Sequence, residues 1–269
     1  MNGQPDRADP TLRKLERDVA ALQAIDPYVS SSPTAVFLKM MDTIGEKALH
    51  MVNTDPARTP SFTAFGNPDY FVTDVNPSCG SNPCIDYHFA WSHGDIQSEI
   101  ANNWLGLVGP GVKSQGIDSQ TWTDHTNVRS TTLALAGLRD DYVNDGRVLI
   151  EAIETRALPQ SLIAHRATLL RLGDAYEQVN AAFGKFGMDL LTASTHALSS
   201  GSTADESRYT SLENSIESLT SQRDALAAEI KAALNAAAFD GQALNEQQAK
   251  VWIHQANSLL DQANALAGG

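Results

Sequence analysis

The sequence predicts a mixed α/β region over about residues 1–155 and an all-α tail over about residues 156–269. Three observations carry this division. Ten of the eleven prolines lie at or before Pro110, the last is Pro159, and none follows. Trp91, Trp104 and Trp122 also precede the boundary. Beyond it the chain turns Ala-, Leu- and Gln-rich, with long helical periodicity and few of the residues that punctuate turns.

The front region opens with a helix signal. Asp9 and Pro10 supply cap and first-turn chemistry, and Leu12, Leu15, Val19 and Leu22 repeat at helical spacing. DPYVSSSP breaks the pattern. A second helix is expected over about Thr34–Ile44, started by Ser32 and Pro33. Strands are expected around Ala48–Asn53, Phe62–Phe65, Tyr70–Thr73, Tyr87–Trp91 and Trp104–Val108, separated by Pro/Gly/Asn turns. A helix over about Asn127–Leu138 completes an order that suggests α/β layering.

In the tail, a helix over about Gln160–Ser199 carries Leu162, Leu169, Leu172, Tyr176, Val179 and Phe183, bent or broken at Gly184 and Gly187. A longer, coiled-coil-like stretch places Tyr209, Leu212, Ile216, Leu219, Leu226, Ile230 and Leu234 on one face and stops at Gly241. A final helix carries Ala249, Ile253, Ala256, Leu260, Ala263 and Leu266. Short connections favour antiparallel neighbours, hence a helical hairpin or three-helix bundle. The charged residues of the tail alternate in sign and read as solvated faces.

Composition narrows the function. The chain has 269 residues, a formal net charge of −13 and 42% hydrophobic residues. That content suits a folded protein. The acidic balance, with no Lys/Arg cluster, argues against a nucleic-acid-binding surface but leaves room for a phosphorylated small molecule held by a metal or backbone amides. No apolar run approaches the roughly 18 residues of a membrane span. The polar start, MNGQPDRADPTLRKLERD, is not a secretory signal. Cys79 and Cys84 in NPSCGSNPC fit either a short disulfide loop or two free thiols.

Two clusters carry candidate chemistry. DYHFAWSHGDIQSEI gathers His88, His93 and Asp95 at the end of a predicted strand, where α/β sheets bind ligands. Glycine after His93 lets the backbone turn while the imidazole faces a cleft. An Asp two residues on can ligate a metal or orient the ring. His88 alternates with its apolar neighbours and fits a solvent face equally well. TWTDHTNVRSTTLALAGL places Asp124 and His125 just before a helix, as pre-cap residues or as a second ligand near an anion-favouring N-terminus. His50 reads as packed on a strand, and His165, His196 and His254 as helix-surface residues. Neither a nucleophile elbow nor a phosphate-binding glycine loop is present.

The run HGDIQSEIANNWLGLVGPGV…WTDHTNVRSTTLALAGLRDDYVNDGRVL resembles the C-terminal half of alkaline-phosphatase-superfamily proteins. Within that superfamily it is most similar to the bacterial type I phosphodiesterase/nucleotide pyrophosphatase-like group. The motifs fall at His93-Gly94, Leu105–Val112, Asn127–Thr131, Leu133–Leu138 and Asp145–Leu149, and LHMVNTDPARTPSFTAFGNPDYF is similar to the same group. The resemblance covers about residues 10–155 and, more loosely, the tail. Two departures stand out. The family's Asp-His-Gly reads Ser92-His93-Gly94, and its helix start, with Asp and Pro, reads Asn127-Val128-Arg129-Ser130-Thr131.

The resemblance implies a partial alkaline-phosphatase-like α/β sandwich and metal-dependent phosphoester hydrolysis. It implies a divalent metal, zinc or manganese, with His93, Asp95, Asp124 and His125 as candidate ligands, and a periplasmic or secreted location. The family's Ser/Thr nucleophile and early Asp ligands belong to an N-terminal half absent from these residues. A two-metal site takes about six protein ligands, so the expectation is a truncated form, inactive alone, whose partner is the missing N-terminal half. The alternative is a non-catalytic binding or scaffold protein forming a homo-oligomer through its tail.

Overall fold

The computed structural model describes residues 5–26, 31–68, 70–72, 95–139, 141–199 and 206–268. His88, His93, Cys79, Cys84 and the expected strand at Tyr87–Trp91 lie outside the described residues. The elements in chain order are α1 (Pro10–Ala20), β1 (Gln23–Ala24), β2 (Thr34–Ala35), β3 (Phe37–Asp42), α2 (Thr43–Ala48), β4 (Phe62–Gly66), α3 (Ser98–Ala101), α4 (Thr126–Ala136), α5 (Gln160–Ile163), α6 (Arg166–Asn180), α7 (Lys185–Ser199), α8 (Glu206–Phe239) and α9 (Glu246–Ala267). The fold is mixed, with two small sheets and a helical C-terminal region. It divides into two compact units: Met1–Trp104 with Asp189–Glu217 and Leu266–Gly269, and Leu105–Met188 with Ser218–Ala265.

In the first unit, β3 and β4 form an antiparallel pair with Lys39 opposite Phe65 and Met41 opposite Thr63. β1 and β2 form a second two-stranded pair. The expected strand at Phe62–Phe65 is present as β4. The expected helix over Thr34–Ile44 is not: those residues form β2 and β3 and only then enter α2. The physical reason is pairing, because β4 satisfies the backbone of Phe37–Asp42, and no helix forms until that ladder ends. Asp42 then starts α2, its Oδ1 accepting from Ile44 N at 2.9 Å and Gly45 N at 3.0 Å. The expected strand at Ala48–Asn53 is also replaced. α2 runs to Ala48, and His50 adopts a left-handed φ of 56° that turns the chain and leaves its side chain exposed rather than packed. Met40, Leu198 and Tyr209 form the core of this unit, with Val19, Ala20, Phe37, Phe62 and Ala64 against them.

α1 departs from its reading in a telling way. Asp9 caps it as expected, accepting from Thr11 N at 2.7 Å and Leu12 N at 3.2 Å. The buried face is Leu12, Arg13 and Glu16, while Leu15 and Leu22 stay about half exposed.

In the second unit, α4 matches its expected helix and ends on Gly137, whose φ of 65° suits the left-handed C-cap. The expected strand at Trp104–Val108 is not formed. Residues 102–108 run without pairing, and only Val112 bridges Ile153. The glycines at 106, 109 and 111 and Pro110 disfavour a regular ladder there. The tail helix breaks at Gly184, where an added Cβ would lie 2.6 Å from the Glu177 carbonyl oxygen, whereas Gly187 sits inside α7. Leu219, Leu226, Ile230 and Leu234 of α8 are buried, as are Ala249, Ala256, Leu259 and Ala263 of α9; Tyr209 and Ile216, in the part of α8 that belongs to the first unit, are buried too. Trp252 Nε1 donates to Glu229 Oε2 at 2.8 Å, tying α9 back to α8. Among the described residues no helix is long and apolar enough to cross a membrane.

Candidate functional site

The start of α4 is the most constrained locus among the predicted site residues. Asp124 N donates to Asn127 Oδ1 at 2.9 Å, and Asp124 Oδ1 accepts from Thr126 N at 2.7 Å and from the Thr126 hydroxyl. This reciprocal pair satisfies backbone donors of the first turn. It also fixes Asp124 with one carboxylate oxygen committed and the other outside the cap. His125 stands at the cap position itself, makes no side-chain capping bond and is exposed. An exposed imidazole beside a helix N-terminus is well placed to meet an anion or an ion that holds one.

Behind this turn lies a buried scaffold. Asn127 is fully buried and its Nδ2 donates to Glu177 Oε1 at 2.8 Å. Glu177 pairs with Arg147 at 3.0 Å, and Arg147 also pairs with Glu151 at 2.9 Å. Burial pushes the Glu177 carboxyl up to about 7, against the opposing pull of Arg147. Gly146 meets the first turn of α4 so closely that a Cβ on it would sit 1.9 Å from Thr126 O. Ser130 Oγ donates to Gly146 O at 2.9 Å, and Leu149 N donates to Thr131 Oγ1 at 3.0 Å. Lys231 Nζ also donates to Gly146 O, and burial holds that ammonium down at about 8.

The turn at Gly109–Val112 joins the same platform. Gly111 has a φ of 82° and an absent Cβ that would lie 3.3 Å from Leu135 of α4. Glu154 N donates to Gly111 O and Lys113 N to Ala152 O, each at 2.8 Å. Three motifs separated in sequence, at 109–112, 126–138 and 145–149, therefore assemble around one helix.

Asp95 belongs to the other unit. It is half-buried at the end of β4, its Oδ1 accepting from Ile96 N at 2.8 Å, and the neighbouring Gln97 donates to Gly66 O. His93 lies outside the described residues. Among the described residues no group of three or more His, Cys, Asp or Glu side chains is arranged to hold a metal ion. Of the histidines read as surface residues, His165 is partly exposed and lies 3.5 Å from Glu246.

A second cluster, in the first unit, was not anticipated. Arg13 of α1 is almost fully buried and meets Glu213 at 2.6 Å, Glu16 at 3.2 Å, Glu206 at 3.3 Å and Asp42 at 3.6 Å, with its guanidinium 4.3 Å over the Tyr209 ring. Tyr209 donates to Asp42 Oδ2 at 3.0 Å, Arg17 pairs with Glu206, and Thr63 donates to Glu46 at 2.6 Å. Burial raises Glu16 and Glu46 to about 7 and Glu213 to about 8. Asp42 stays low despite its burial, held by hydrogen bonds from Glu213, Gly45 and Tyr209 and by Arg13. The tail carboxylates Glu177 and Glu213 are thus buried, not solvated. A signal for α1 was present: Leu12, Glu16 and Val19 are spaced 4 and 3 apart, which puts Glu16 on the apolar face.

No family model, curated protein or solved structure matches this chain.

Proposed function

We propose that the chain is the ligand-bearing C-terminal part of a divalent-metal-dependent phosphoester hydrolase of the alkaline-phosphatase superfamily, similar to the type I phosphodiesterase/nucleotide pyrophosphatase group. Its α/β region would be a partial form of that family's sandwich. The observation that supports this reading is the convergence on α4. The GPGV turn, the helix behind Asp124-His125 and the Asp145–Leu149 loop are the segments that carry the resemblance, and they pack into one platform with His125 exposed at its rim.

In this reading Asp124 and His125 in one unit, and separately His93 and Asp95 in the other, are candidate donors that would hold zinc or manganese, and the ion would polarise a phosphoryl oxygen. Imidazole and carboxylate are suitable donors for either ion. Asp124 orients its neighbour through the α4 cap, and the helix N-terminus favours the substrate's negative charge. The family's Ser/Thr nucleophile has no counterpart among the motifs that carry the resemblance, so metal binding, rather than turnover, is what the reading predicts of this chain. The scaffold alternative drew on the apolar stripe of α8. That stripe is buried within the chain, so self-association through it is not put forward.

Isothermal titration of the purified chain with zinc and with manganese tests the reading. The expected result is a saturable heat that His93→Ala or His125→Ala reduces. Equal heats in the parent and both variants overturn it.

A further inference from the structure

The Arg13 cluster holds more carboxylates than cations. Among the described residues, Glu16, Asp42, Glu206 and Glu213 lie within ion-pair distance of Arg13, Arg17 also meets Glu206, and Glu46 stands near Asp42. Three carboxylate oxygens in it, Glu16 Oε1, Glu46 Oε2 and Glu213 Oε2, are buried with no hydrogen-bond donor. An ionised oxygen in that state is expensive, because burial removes its hydration and nothing replaces it. A proton resolves the conflict at each position. On Glu213 it makes a carboxyl–carboxylate hydrogen bond with Asp42.

The arrangement sits on a seam. α1 contributes Arg13, Glu16 and Arg17; the end of β3 and α2 contribute Asp42 and Glu46; α8 contributes Glu206, Tyr209 and Glu213. Arg7 lines a small cleft with Glu16 and Asp42, and Lys47 pairs with Glu217 at the exposed flank. β4 offers the Thr63 hydroxyl, and α7 offers the apolar Ala197 and Leu198. α1 itself has little apolar hold here: Leu12 is buried and Val19 and Ala20 lie against the core, while Leu15 faces out.

We propose that this seam is a pH-operated latch: α1 is held against α2 and α8 while Glu16, Glu46 and Glu213 carry protons, and it loosens when they ionise. The inference goes beyond the metal reading and does not depend on it. The sign follows from linkage. Carboxyls with folded pKa values above their ordinary range keep protons that the open seam releases, so opening becomes easier as pH rises from about 4.5 to about 7 or 8 and levels off above that. The released protons go to solvent.

Hydrogen exchange of the full chain, corrected for intrinsic rates, tests this between pH 6 and pH 9. Protection of the α1 amides is expected to fall by about tenfold or more, the factor attached to one unit of pKa difference, while the amides of α9, which carries no raised carboxyl, change less. In the double variant Glu16→Gln/Glu213→Gln, α1 protection is expected to persist to pH 9, since both side-chain amides mimic the protonated groups and the one introduced at position 213 can still donate to Asp42. Carbon-detected NMR of the parent provides a test that needs no variant: the Glu16 and Glu213 carboxyls are expected to titrate near or above neutrality. Flat α1 protection, a double variant that tracks the parent, or titration of both carboxyls near their ordinary value of about 4.3 would each overturn the latch.

Discussion

Arg13 in one unit and Arg147 in the other are each buried among glutamates, and the two clusters differ in how many carboxylates meet the guanidinium. Around Arg147, two carboxylates, Glu151 and Glu177, lie within ion-pair distance, Lys231 stands near Glu177 and Asp145, and Asn127 adds a neutral donor to Glu177. Around Arg13, four carboxylates lie within ion-pair distance, and Arg17 meets one of them. The Arg147 cluster serves as a brace: it stiffens the platform under His125 and the Asp145–Leu149 loop, with one carboxyl, Glu177, pushed up by burial. The Arg13 cluster depends on protons at three, Glu16, Glu46 and Glu213. A buried ion pair contributes little net stability by itself, so what separates the two is how each surplus charge is answered.

Removing the arginines separates them most strongly. Arg13→Met and Arg147→Met should each cost about 3–5 kcal/mol in urea denaturation at pH 8, the range for stripping a buried charge of its partner. Because Arg13 answers more carboxylates, its variant should recover more of that loss at pH 5.5, where those carboxyls hold protons. Equal recovery in both variants would break the comparison.

Gly146→Ala comes next. Its Cβ would fall 1.9 Å from a backbone oxygen, and backbone cannot rotate aside as a side chain can. A loss of about 3 kcal/mol is expected, read as a lowered denaturation midpoint.

For the parent, the raised carboxyls Glu16, Glu46, Glu177 and Glu213 bind more protons folded than unfolded between about pH 4.5 and 8. Stability therefore falls as pH rises through that window. The thermal midpoint at pH 8.5 should lie roughly 5 °C or more below that at pH 5.5. Lys231, held below its ordinary value, works the other way only above pH 8, so it does not cancel the trend.

Asp124→Ala removes the acceptor that caps α4 and should cost about 1 kcal/mol. His125→Ala should change stability by less than about 0.5 kcal/mol, since that side chain is exposed and makes no capping bond. A neutral His125→Ala that nonetheless loses metal binding would mark the residue as functional, not structural.

Local signals were legible where they needed no distant partner. Asp9-Pro10 marked the start of its helix, and Gly184 marked its break. β4 was readable from Phe62–Phe65. Thr34–Ile44 was misread because its fate is decided by pairing with β4, some twenty residues on. The expected strand at Trp104–Val108 failed for want of such a partner. The Asp124-His125 turn was visible as a motif, but its packing on Gly146 depends on an absent side chain, which no residue pattern advertises. The Arg13 cluster was hidden for a different reason. Arg and Glu read as surface residues, and only the 4-then-3 spacing of Leu12, Glu16 and Val19 hinted that α1 turns charge inward.

X-ray absorption at the zinc edge of the zinc-loaded chain examines the metal reading at the atoms concerned. The predicted spectrum contains imidazole nitrogens at about 2.0 Å from the ion, reduced in His125→Ala and in His93→Ala. A first shell of oxygen alone, or one unchanged by both substitutions, would contradict it.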